Sequence, residues 1–286
     1  MSHVRIYEVG PRDGLQNEKT IIPTEQKIGL IDRLSEVGFE TIEATSFVSP
    51  KWVPQLSDAE EVLAGIKRKK DVTYAALTPN LKGFERAAAA GADEVAIFGA
   101  ASETFSRKNT NCSIAESFER FLPIMEGAAS RGIPVRGYVS CVVECPYEGA
   151  IAPDAVRDVA ARLMEMGCYE VSLGDTIGKG TPETIVAMLE TVLQAVPAGK
   201  VAGHYHDTNN RALDNVRASL ELGLRCFDSA VGGLGGCPYA PGAKGNVSTT
   251  ALARMLAAEG WQTGLNMDKL AAAEAYLAEV VASLKE

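Results

Sequence analysis

The sequence predicts an α/β protein, a (β/α)8 TIM barrel with an additional C-terminal helix, and three observations support this fold class. Short β-type runs alternate with segments whose apolar residues recur at helical spacing along the whole chain. Five helical segments end in glycine and lead closely into the next strand, which is typical of a helix stop before a return to a sheet. No long linker or change in composition interrupts this repetition, which favours a closed barrel over an open sheet.

The elements follow in order along the chain. Eight segments have the length and composition of strands: 4–9, 41–47, 72–77, 94–98, 135–143, 170–173, 201–205 and 226–231. Helical spacing is found between them, at 25–37, 58–69, 115–130, 154–166, 182–196 and 212–222. An Ala-rich segment at about 267–285 is predicted to be a helix that packs on the outside. We interpret the whole chain, 1–286, as a single catalytic domain.

Composition excludes several classes of protein. With 46% hydrophobic and 23% charged residues, the chain can bury a sizeable core, and disorder is not predicted. The net charge of -9, with no basic run larger than KRKK at 67–70, argues against a nucleic-acid partner. We interpret that run as the solvated C-terminal end of a helix. No apolar stretch approaches the roughly 20 residues that span a bilayer, and the first residues lack the apolar centre of a signal peptide. A soluble cytoplasmic protein is expected, with no membrane partner.

The six cysteines lie at 112, 141, 145, 168, 226 and 237. A chain of this length does not need disulfides for stability. Cys141 and Cys145 have no second matching pair and no nearby histidine, which leaves a zinc site weakly supported. Buried, reduced thiols are the preferred interpretation.

Two histidines spaced two residues apart, His204 and His206, close the seventh predicted strand. Because side chains alternate across a strand, both imidazoles point to one face, which in a barrel is the lumen. Asp13, after the first strand, and Asn246, after the eighth, can reach them in a closed barrel. These four residues are the predicted metal ligands, and the alternative is a pair of histidines hydrogen-bonded to their neighbours. A nitrogen and oxygen ligand set without thiolate favours Mg²⁺ or Mn²⁺ over structural zinc.

Two further polar residues are predicted beside this site. Arg12 precedes Asp13, where a permanent cation could hold an oxyanion that forms on a carbonyl, or could form a structural ion pair. Glu43 lies in the otherwise apolar run TIEATSF, and a carboxylate that faces a lumen needs a partner. Arg12, on the neighbouring strand, is the obvious candidate.

The segment 232–246 holds six glycines in fifteen residues. We interpret it as a mobile flap over a ligand, with Cys237 at its middle as a thiol that exchanges a proton near neutral pH. A phosphate-binding loop or a plain turn would account for the same composition.

Several long motifs resemble a known family. They are EVGPRDGLQNE, IEATSFVSPKWVPQLSDAEEV, RGYVSCVVECPYEG, SLGDTIGKGTP, HYHDTNNRAL and GGLGGCPYAPGAKGN, and they run from residue 8 to residue 246. Together they resemble the 3-hydroxy-3-methylglutaryl-CoA lyases, a family of metal-dependent barrel lyases related to Claisen-condensing enzymes.

The resemblance implies a retro-Claisen cleavage of 3-hydroxy-3-methylglutaryl-CoA to acetyl-CoA and acetoacetate. It implies that the four ligands named above hold the metal, that Arg12 stabilises the enolate of acetyl-CoA and that Cys237 protonates its carbon. Glu43 matches a residue that supports the arginine. The base that deprotonates the C3 hydroxyl is expected to be Asp13 or His204.

The same resemblance suggests how the acyl-CoA is held. Arg12, Gln16, Ser46 and Asp175 are the expected substrate-binding residues. Leucine degradation and ketone-body formation are the expected metabolic context, and a homo-oligomer is possible.

Two departures from the family pattern bear on the acyl group. The family usually reads ATED after the last metal ligand, whereas this chain reads VSTT at 247–250, and Lys244 stands where a small residue is usual. The sequence therefore leaves open a lyase of the same mechanism for a longer 3-substituted acyl-CoA or citramalyl-CoA. It is also compatible with a Claisen-condensing synthase and with a non-enzymatic, metal-stabilised binding protein.

Overall fold

The computed structural model describes residues 3–235 and 245–284. Its strands are β1 (Arg5–Glu8), β2 (Thr41–Ser46), β3 (Thr73–Leu77), β4 (Glu94–Ala100), β5 (Val135–Ser140), β6 (Glu144–Cys145), β7 (Gly149–Ala150), β8 (Glu170–Asp175), β9 (Val201–Tyr205) and β10 (Cys226–Ser229). Eight of them close into a parallel barrel in the order β1-β10-β9-β8-β5-β4-β3-β2. The remaining two, β6 and β7, form a separate antiparallel pair.

Helices alternate with the barrel strands. They are α1 (Thr24–Ser35), α2 (Ala59–Gly65), α3 (Leu81–Ala89), α4 (Glu103–Thr110), α5 (Ile114–Arg131), α6 (Pro153–Glu165), α7 (Pro182–Val192), α8 (Ala212–Glu221), α9 (Thr249–Ala258) and α10 (Met267–Ser283). The last helix, α10, packs against α1 on the outside of the barrel. The predicted (β/α)8 barrel with an additional C-terminal helix is confirmed. Within the described ranges, no helix combines the length and apolar character needed to cross a bilayer.

Local sequence accounts for where the helices begin and end, as α5 illustrates. Ser113 accepts a hydrogen bond from the backbone N–H of Glu116, and the Glu116 side chain accepts one from the Ser113 N–H. This reciprocal pair satisfies two N–H groups that a helix start leaves without partners. Gly132 ends the helix with φ 66°, a conformation that costs glycine little.

The helix predicted at 58–69 is wrong over its last four residues, 66–69. Helix α2 ends at Gly65, and Ile66 is extended, with φ -69° and ψ 146°. Ile66 is buried in the core, and the next backbone N–H, that of Lys67, donates to Asp32 Oδ1 at 2.7 Å. The burial of Ile66 and the hydrogen bond to Asp32 favour an extended chain at this point more than the helical spacing of apolar residues favours a helix. The basic run at 67–70 therefore follows the helix and does not form its last turn.

The other differences lie at the ends of elements and in elements that the sequence does not predict. The predicted helix at 182–196 ends at Val192, whereas β4 and β8 extend beyond the predicted strands to Ala100 and Asp175. Helices α3, α4 and α9 and the β6–β7 pair are not among the segments that the sequence predicts.

The two faces of the barrel differ in chemistry. The main apolar core lies between the outer face of the strands and the helices, and includes Ile97 and Leu163. The lumen, in contrast, is filled by buried polar side chains, among them Arg136, Glu170 and Asp228. Bulky branched residues usually fill this space in (β/α)8 barrels. Here, therefore, charge pairing and hydrogen bonds determine what packs inside the barrel.

Candidate active site and metal centre

The first part of the site is a single π-helical turn, Gly10–Gly14, directly after β1. A side chain at Gly10 would bring its Cβ within 2.5 Å of Glu8 Oε1 and 2.9 Å of a Val231 methyl, so only glycine fits. Such turns are frequent at functional sites because they redirect the side chains they carry. This one carries Arg12 and Asp13 into the barrel mouth, where both line the central cavity.

Asp13, His204 and His206 form the one cluster of potential metal-ligating His, Cys, Asp or Glu side chains among the described residues. One ligand atom from each lies within 4.8 Å of the others, and all three residues are buried. His204 Nε2 lies 3.9 Å from Asp13 Oδ2. His206 Nδ1 is buried without a hydrogen-bond partner among the described residues. A buried nitrogen in such a cluster needs a partner, and a bound cation would provide one.

Asn246 completes the predicted set. Its backbone pairs with that of His206 in an antiparallel bridge, which fixes the start of the last βα unit against the end of β9. Its side-chain Nδ2 donates to Asp13 Oδ2 at 2.7 Å and to Leu234 O at 3.2 Å. The amide oxygen would take the place of that nitrogen after a half-turn of the side chain, because the two ends of an amide have nearly the same shape. All four predicted ligands thus lie together at the mouth.

The protonation of these groups fits a divalent cation. Burial, followed by the neighbouring His204, lowers the pKa of His206 to about 4, so its imidazole is neutral at pH 7. Burial alone would raise the pKa of Asp13, but Arg12 and the two histidines outweigh it and lower the pKa to about 2. A neutral imidazole and an ionised carboxylate are the forms that bind metals. Their mixed nitrogen and oxygen set is compatible with Mg²⁺ or Mn²⁺.

Arg12 is held rigidly beside the cluster. Its Nε donates to Glu43 Oε2 at 2.6 Å, its Nη1 donates to Asp13 Oδ1 at 2.5 Å, and its guanidinium lies 5.3 Å from the centre of the Tyr138 ring. The expected pairing of Arg12 with Glu43 is therefore present. Tyr138 donates its hydroxyl to the same Glu43 oxygen at 3.2 Å. This leaves Glu43 Oε1 buried and unpartnered among the described residues.

His204 has a partner that the sequence does not predict. Its Nδ1 lies 3.0 Å from Oδ2 of Asp228, a residue fully enclosed on β10 and directly opposite His204 in the strand register. Asp228 also accepts hydrogen bonds from Arg136 and Ser172. Burial would raise the pKa of Asp228, but Arg136 more than compensates and holds it well below its usual value. The sequence signal for this contact is a carboxylate in the otherwise apolar run CFDSAV, comparable to Glu43 in TIEATSF.

The expected substrate-binding residues fall into two groups. Gln16 lines the cavity and donates to Asp13 Oδ1 at 2.9 Å. Ser46 and Asp175 are buried behind the cavity wall and are not among the residues that line it. The Ser46 hydroxyl accepts a hydrogen bond from the Val48 N–H at 3.2 Å. Asp175, whose pKa is raised by burial to about 6, accepts bonds from two backbone N–H groups in the loop after β8.

A cavity of about 850 Å³ opens outward from the metal cluster. Its inner wall is formed by the polar side chains at the barrel mouth. Its outer wall carries the cations Lys19, Lys108 and Arg120 and the exposed ring of Trp52. The cavity can therefore hold a molecule with a reacting end near the metal cluster and an anionic end near the surface.

Cys237, Lys244 and most of the predicted flap at 232–246 lie outside the described residues. The five other cysteines are buried and free of disulfides, as the sequence predicts.

A protein-family model described as HMGL-like matches residues 3–277. The chain belongs to the HMGL-like family. It is 58% identical over 278 residues to the mitochondrial hydroxymethylglutaryl-CoA lyase of Bos taurus, covering 97% of this chain and 86% of that protein. It is 59% identical over 268 residues to the cytoplasmic 3-hydroxy-3-methylglutaryl-CoA lyase of Danio rerio, covering 94% of this chain and 80% of that protein.

Solved structures of the same family share the fold over nearly the whole chain. The HMG-CoA lyase from Brucella melitensis superposes with a TM-score of 0.97 at 59% identity, covering 98% of this chain and 99% of that one. An HMG-CoA lyase from Acenitobacter baumannii, solved in complex with coenzyme A and 3-methylmalate, gives a TM-score of 0.93 at 40% identity, covering 98% and 92%. The predicted resemblance to this family is confirmed.

Proposed function

We propose that this protein is a divalent-metal-dependent carbon–carbon lyase that cleaves 3-hydroxy-3-methylglutaryl-CoA to acetyl-CoA and acetoacetate. The observation that carries the proposal is the meeting of Asp13, His204 and His206 beside Arg12 at the inner end of a large cavity. The names of the relatives at 58% and 59% identity support the same reaction.

The proposed reaction uses residues on both sides of the metal cluster. Asp13, His204, His206 and Asn246 would hold the cation. When bound, Mg²⁺ or Mn²⁺ supplies Lewis-acid polarisation of the C3 hydroxyl and the carboxylate of the substrate. Asp13, or His204 in a state in which its Nε2 does not hold the cation, accepts the hydroxyl proton, the C2–C3 bond breaks as the C3 ketone forms, and the electron pair moves toward the thioester carbonyl.

Arg12 is the group that stabilises the negative charge formed on the thioester oxygen. Glu43 and Asp13 hold its guanidinium in one orientation before substrate arrives, so no reorganisation is needed as the enolate forms. Cys237, which the resemblance assigns as the acid, then protonates the enolate carbon and completes acetyl-CoA. Gln16, in the cavity wall beside Asp13, is the proposed contact to the acyl group.

The proposed substrate class is supported by the outer part of the cavity. Lys19, Lys108 and Arg120 lie along a wall where the phosphates of an acyl-CoA would be neutralised. Coenzyme A is present in the related structure from Acenitobacter baumannii. We propose that Ser46 and Asp175 act on the substrate indirectly, by fixing the backbone behind the cavity wall.

A substrate panel tests this proposal. Metal-stripped protein is supplied with Mg²⁺ or Mn²⁺, and acetyl-CoA release is measured from 3-hydroxy-3-methylglutaryl-CoA, from analogues with longer 3-substituents and from citramalyl-CoA. We expect the highest kcat/KM for the first compound and none without metal. A preference for one of the other thioesters would correct the substrate. Consumption of acetyl-CoA with an oxo acid would instead indicate a Claisen-condensing synthase.

The two relatives differ in their named compartment, mitochondrial in one case and cytoplasmic in the other. We propose a cytoplasmic location, a possible homo-oligomer, and participation in leucine degradation and ketone-body formation.

A further inference from the structure

The imidazole of His204 is held by a hydrogen bond on the side that faces away from the metal cluster. Its Nε2 faces Asp13, whereas its Nδ1 lies 3.0 Å from Asp228 Oδ2. Asp228 itself is fixed by three other hydrogen bonds. Arg136 donates Nη1 to Oδ2 at 3.0 Å and Nη2 to Oδ1 at 2.7 Å, and the Ser172 hydroxyl donates to Oδ2 at 2.7 Å.

This arrangement selects one form of the ring. A neutral imidazole carries its proton on one nitrogen only, and a carboxylate that already receives three donated hydrogen bonds acts as an acceptor. In the neutral ring, therefore, the Nδ1 of His204 carries the proton and the lone pair lies on Nε2, toward Asp13. His206 differs, because its Nδ1 has no partner among the described residues. Among the described residues, a carboxylate partner therefore fixes the tautomer of His204 but not that of His206.

We propose that Asp228, held by Arg136 and Ser172, is a positioning residue that fixes the tautomer and orientation of His204 before the cation binds. Arg136 and Ser172, which hold Asp228, lie deeper in the barrel than the predicted metal ligands. Through Asp228 they would contribute to metal affinity without touching the metal. Carboxylates placed behind ligating histidines act in this way in many metal sites. The proposal rests on the proposed metal site, but it can be tested on protein that contains no metal.

The chain offers a matched control for the competing explanation, that Asp228 serves only to neutralise Arg136. Glu170 contacts the same guanidinium, with Oε1 at 2.8 Å from Arg136 Nε, and is as deeply buried. It lies on β8, the other neighbour of β9, but at the start of that strand, whereas the residue opposite His204 there is Gly174, and none of the observed contacts of the His204 ring involves it. Asp228→Asn and Glu170→Gln therefore each remove one charge from Arg136, but only the first alters the partner of His204.

The first measurement is the imidazole ¹⁵N spectrum of metal-free protein, which is simple because the chain has three histidines. We expect one ring, absent from the His204→Gln spectrum, to be in the Nδ1–H form in the wild type and in Glu170→Gln. In Asp228→Asn the same ring should shift toward the Nε2–H form, since an amide nitrogen can face Nδ1. A wild-type His204 in the Nε2–H form, or an unchanged tautomer in Asp228→Asn, would overturn the proposal.

The second measurement is Mn²⁺ affinity, obtained from the EPR signal of free Mn²⁺ during titration. Asp228→Asn should weaken Mn²⁺ binding by about 10- to 100-fold. Its far-UV circular dichroism spectrum should be the same as that of the wild type. The Mn²⁺ affinity of Glu170→Gln should stay within about threefold of the wild type. Only a group that is hydrogen-bonded to a metal-ligating side chain is expected to change that affinity. Equal losses in the two variants would assign Asp228 to charge neutralisation alone.

A third variant keeps the test decisive should Asp228→Asn not fold. Ser172→Ala leaves every charge in place and removes one hydrogen bond from Asp228 Oδ2. It should weaken Mn²⁺ binding by about threefold and broaden the Nδ1–H resonance of His204, as expected for the loss of one hydrogen bond. Unchanged affinity and an unchanged resonance would contradict the proposal. If His204 shows the expected tautomer but the protein has no lyase activity, the result would count against the proposed function and not against the role of Asp228.

Discussion

Two buried ion clusters lie one above the other in this barrel, and they differ in how completely their hydrogen bonds are satisfied. The rim cluster consists of Arg12, Asp13, Glu43, His204 and His206. The deep cluster consists of Arg5, Glu94, Arg136, Glu170 and Asp228. In each, an arginine lies between carboxylates. Within the described part of the chain, every buried side-chain nitrogen and oxygen of the deep cluster has a partner, whereas the rim cluster has two atoms without one, Glu43 Oε1 and His206 Nδ1.

The difference separates a stabilising network from a binding site. A buried polar network whose members are all paired rigidifies its surroundings and has nothing left to bind. Unpartnered buried polar atoms are costly, and a protein retains them where a ligand completes them. On this basis, substitutions in the deep cluster should mainly change stability, except at Asp228, which also contacts His204 of the rim cluster. Substitutions in the rim cluster should mainly change activity and metal binding.

The largest effect is expected in the deep cluster. Arg136→Met leaves Glu170 and Asp228 buried without their common partner, and the free energy of unfolding should fall by about 3–5 kcal/mol. Urea unfolding followed by circular dichroism measures this change. A loss below about 1 kcal/mol would mean that the deep cluster is not the stabilising network described here.

Removal of a rim group should leave the fold intact but reduce turnover. Arg12→Gln and Cys237→Ala should each lower kcat by at least about 10²-fold, because one loses the proposed partner of the enolate oxygen and the other loses the proposed proton donor. Steady-state assays on folded variants measure the change. Arg5→Gln, which alters an arginine of the deep cluster, serves as the control and should retain turnover near that of the wild type. Near-normal turnover in either Arg12→Gln or Cys237→Ala would refute the role proposed for that residue.

The rim cluster should also respond to metal. Mn²⁺ at about 100 times its dissociation constant should raise the free energy of unfolding of the wild type by about 2.7 kcal/mol relative to protein in EDTA. His206→Gln should lose most of this increment at the same Mn²⁺ concentration. Glu94→Gln, in the deep cluster, should keep it. Paired unfolding curves with Mn²⁺ and with EDTA decide between these outcomes.

The smallest effect is a pH dependence in the deep cluster. Burial raises the pKa of Glu94 to about 7, although Arg136 and the hydroxyls of Tyr7 and Tyr169 oppose the shift. Because the folded protein holds this proton more tightly than the unfolded chain, the stabilisation is complete below pH 4.5 and is lost as pH rises toward 7. From pH 5.5 to 6.5 the wild type should lose about 1 kcal/mol relative to Glu94→Gln. A difference between the two proteins that is constant with pH would contradict this assignment.

The sequence predicted the barrel because its strands are short, buried runs separated by glycine-terminated helices. The metal cluster was predictable for a similar reason, since strand alternation places His204 and His206 on one face. Asp228 was missed because alternation assigns a side chain to the lumen but does not give its depth there. The register between β9 and β10, which puts Asp228 opposite His204, exists only in the closed barrel.

Two other features depended on tertiary context. The π-helical turn that carries Arg12 and Asp13 has no sequence pattern of its own, and its geometry follows from the close approach of Gly10 to Val231, which follows the neighbouring strand β10. Helix α2 stops early because Ile66 is drawn into the core, a contact that local periodicity does not report. Local patterns therefore predict elements and faces, whereas contacts between elements set the final positions of the functional groups.

Because the deep cluster fills the middle of the barrel, the C-terminal mouth is the route by which solvent reaches the reacting end of the cavity in the described part of the chain. An acyl-CoA bound in that mouth would occupy the same route. Protons from bulk water would then have to pass the bound acyl-CoA to reach the enolate. For the proposed reaction, this favours a proton donor that is in place before the carbon–carbon bond breaks, with products leaving by the path through which the substrate entered.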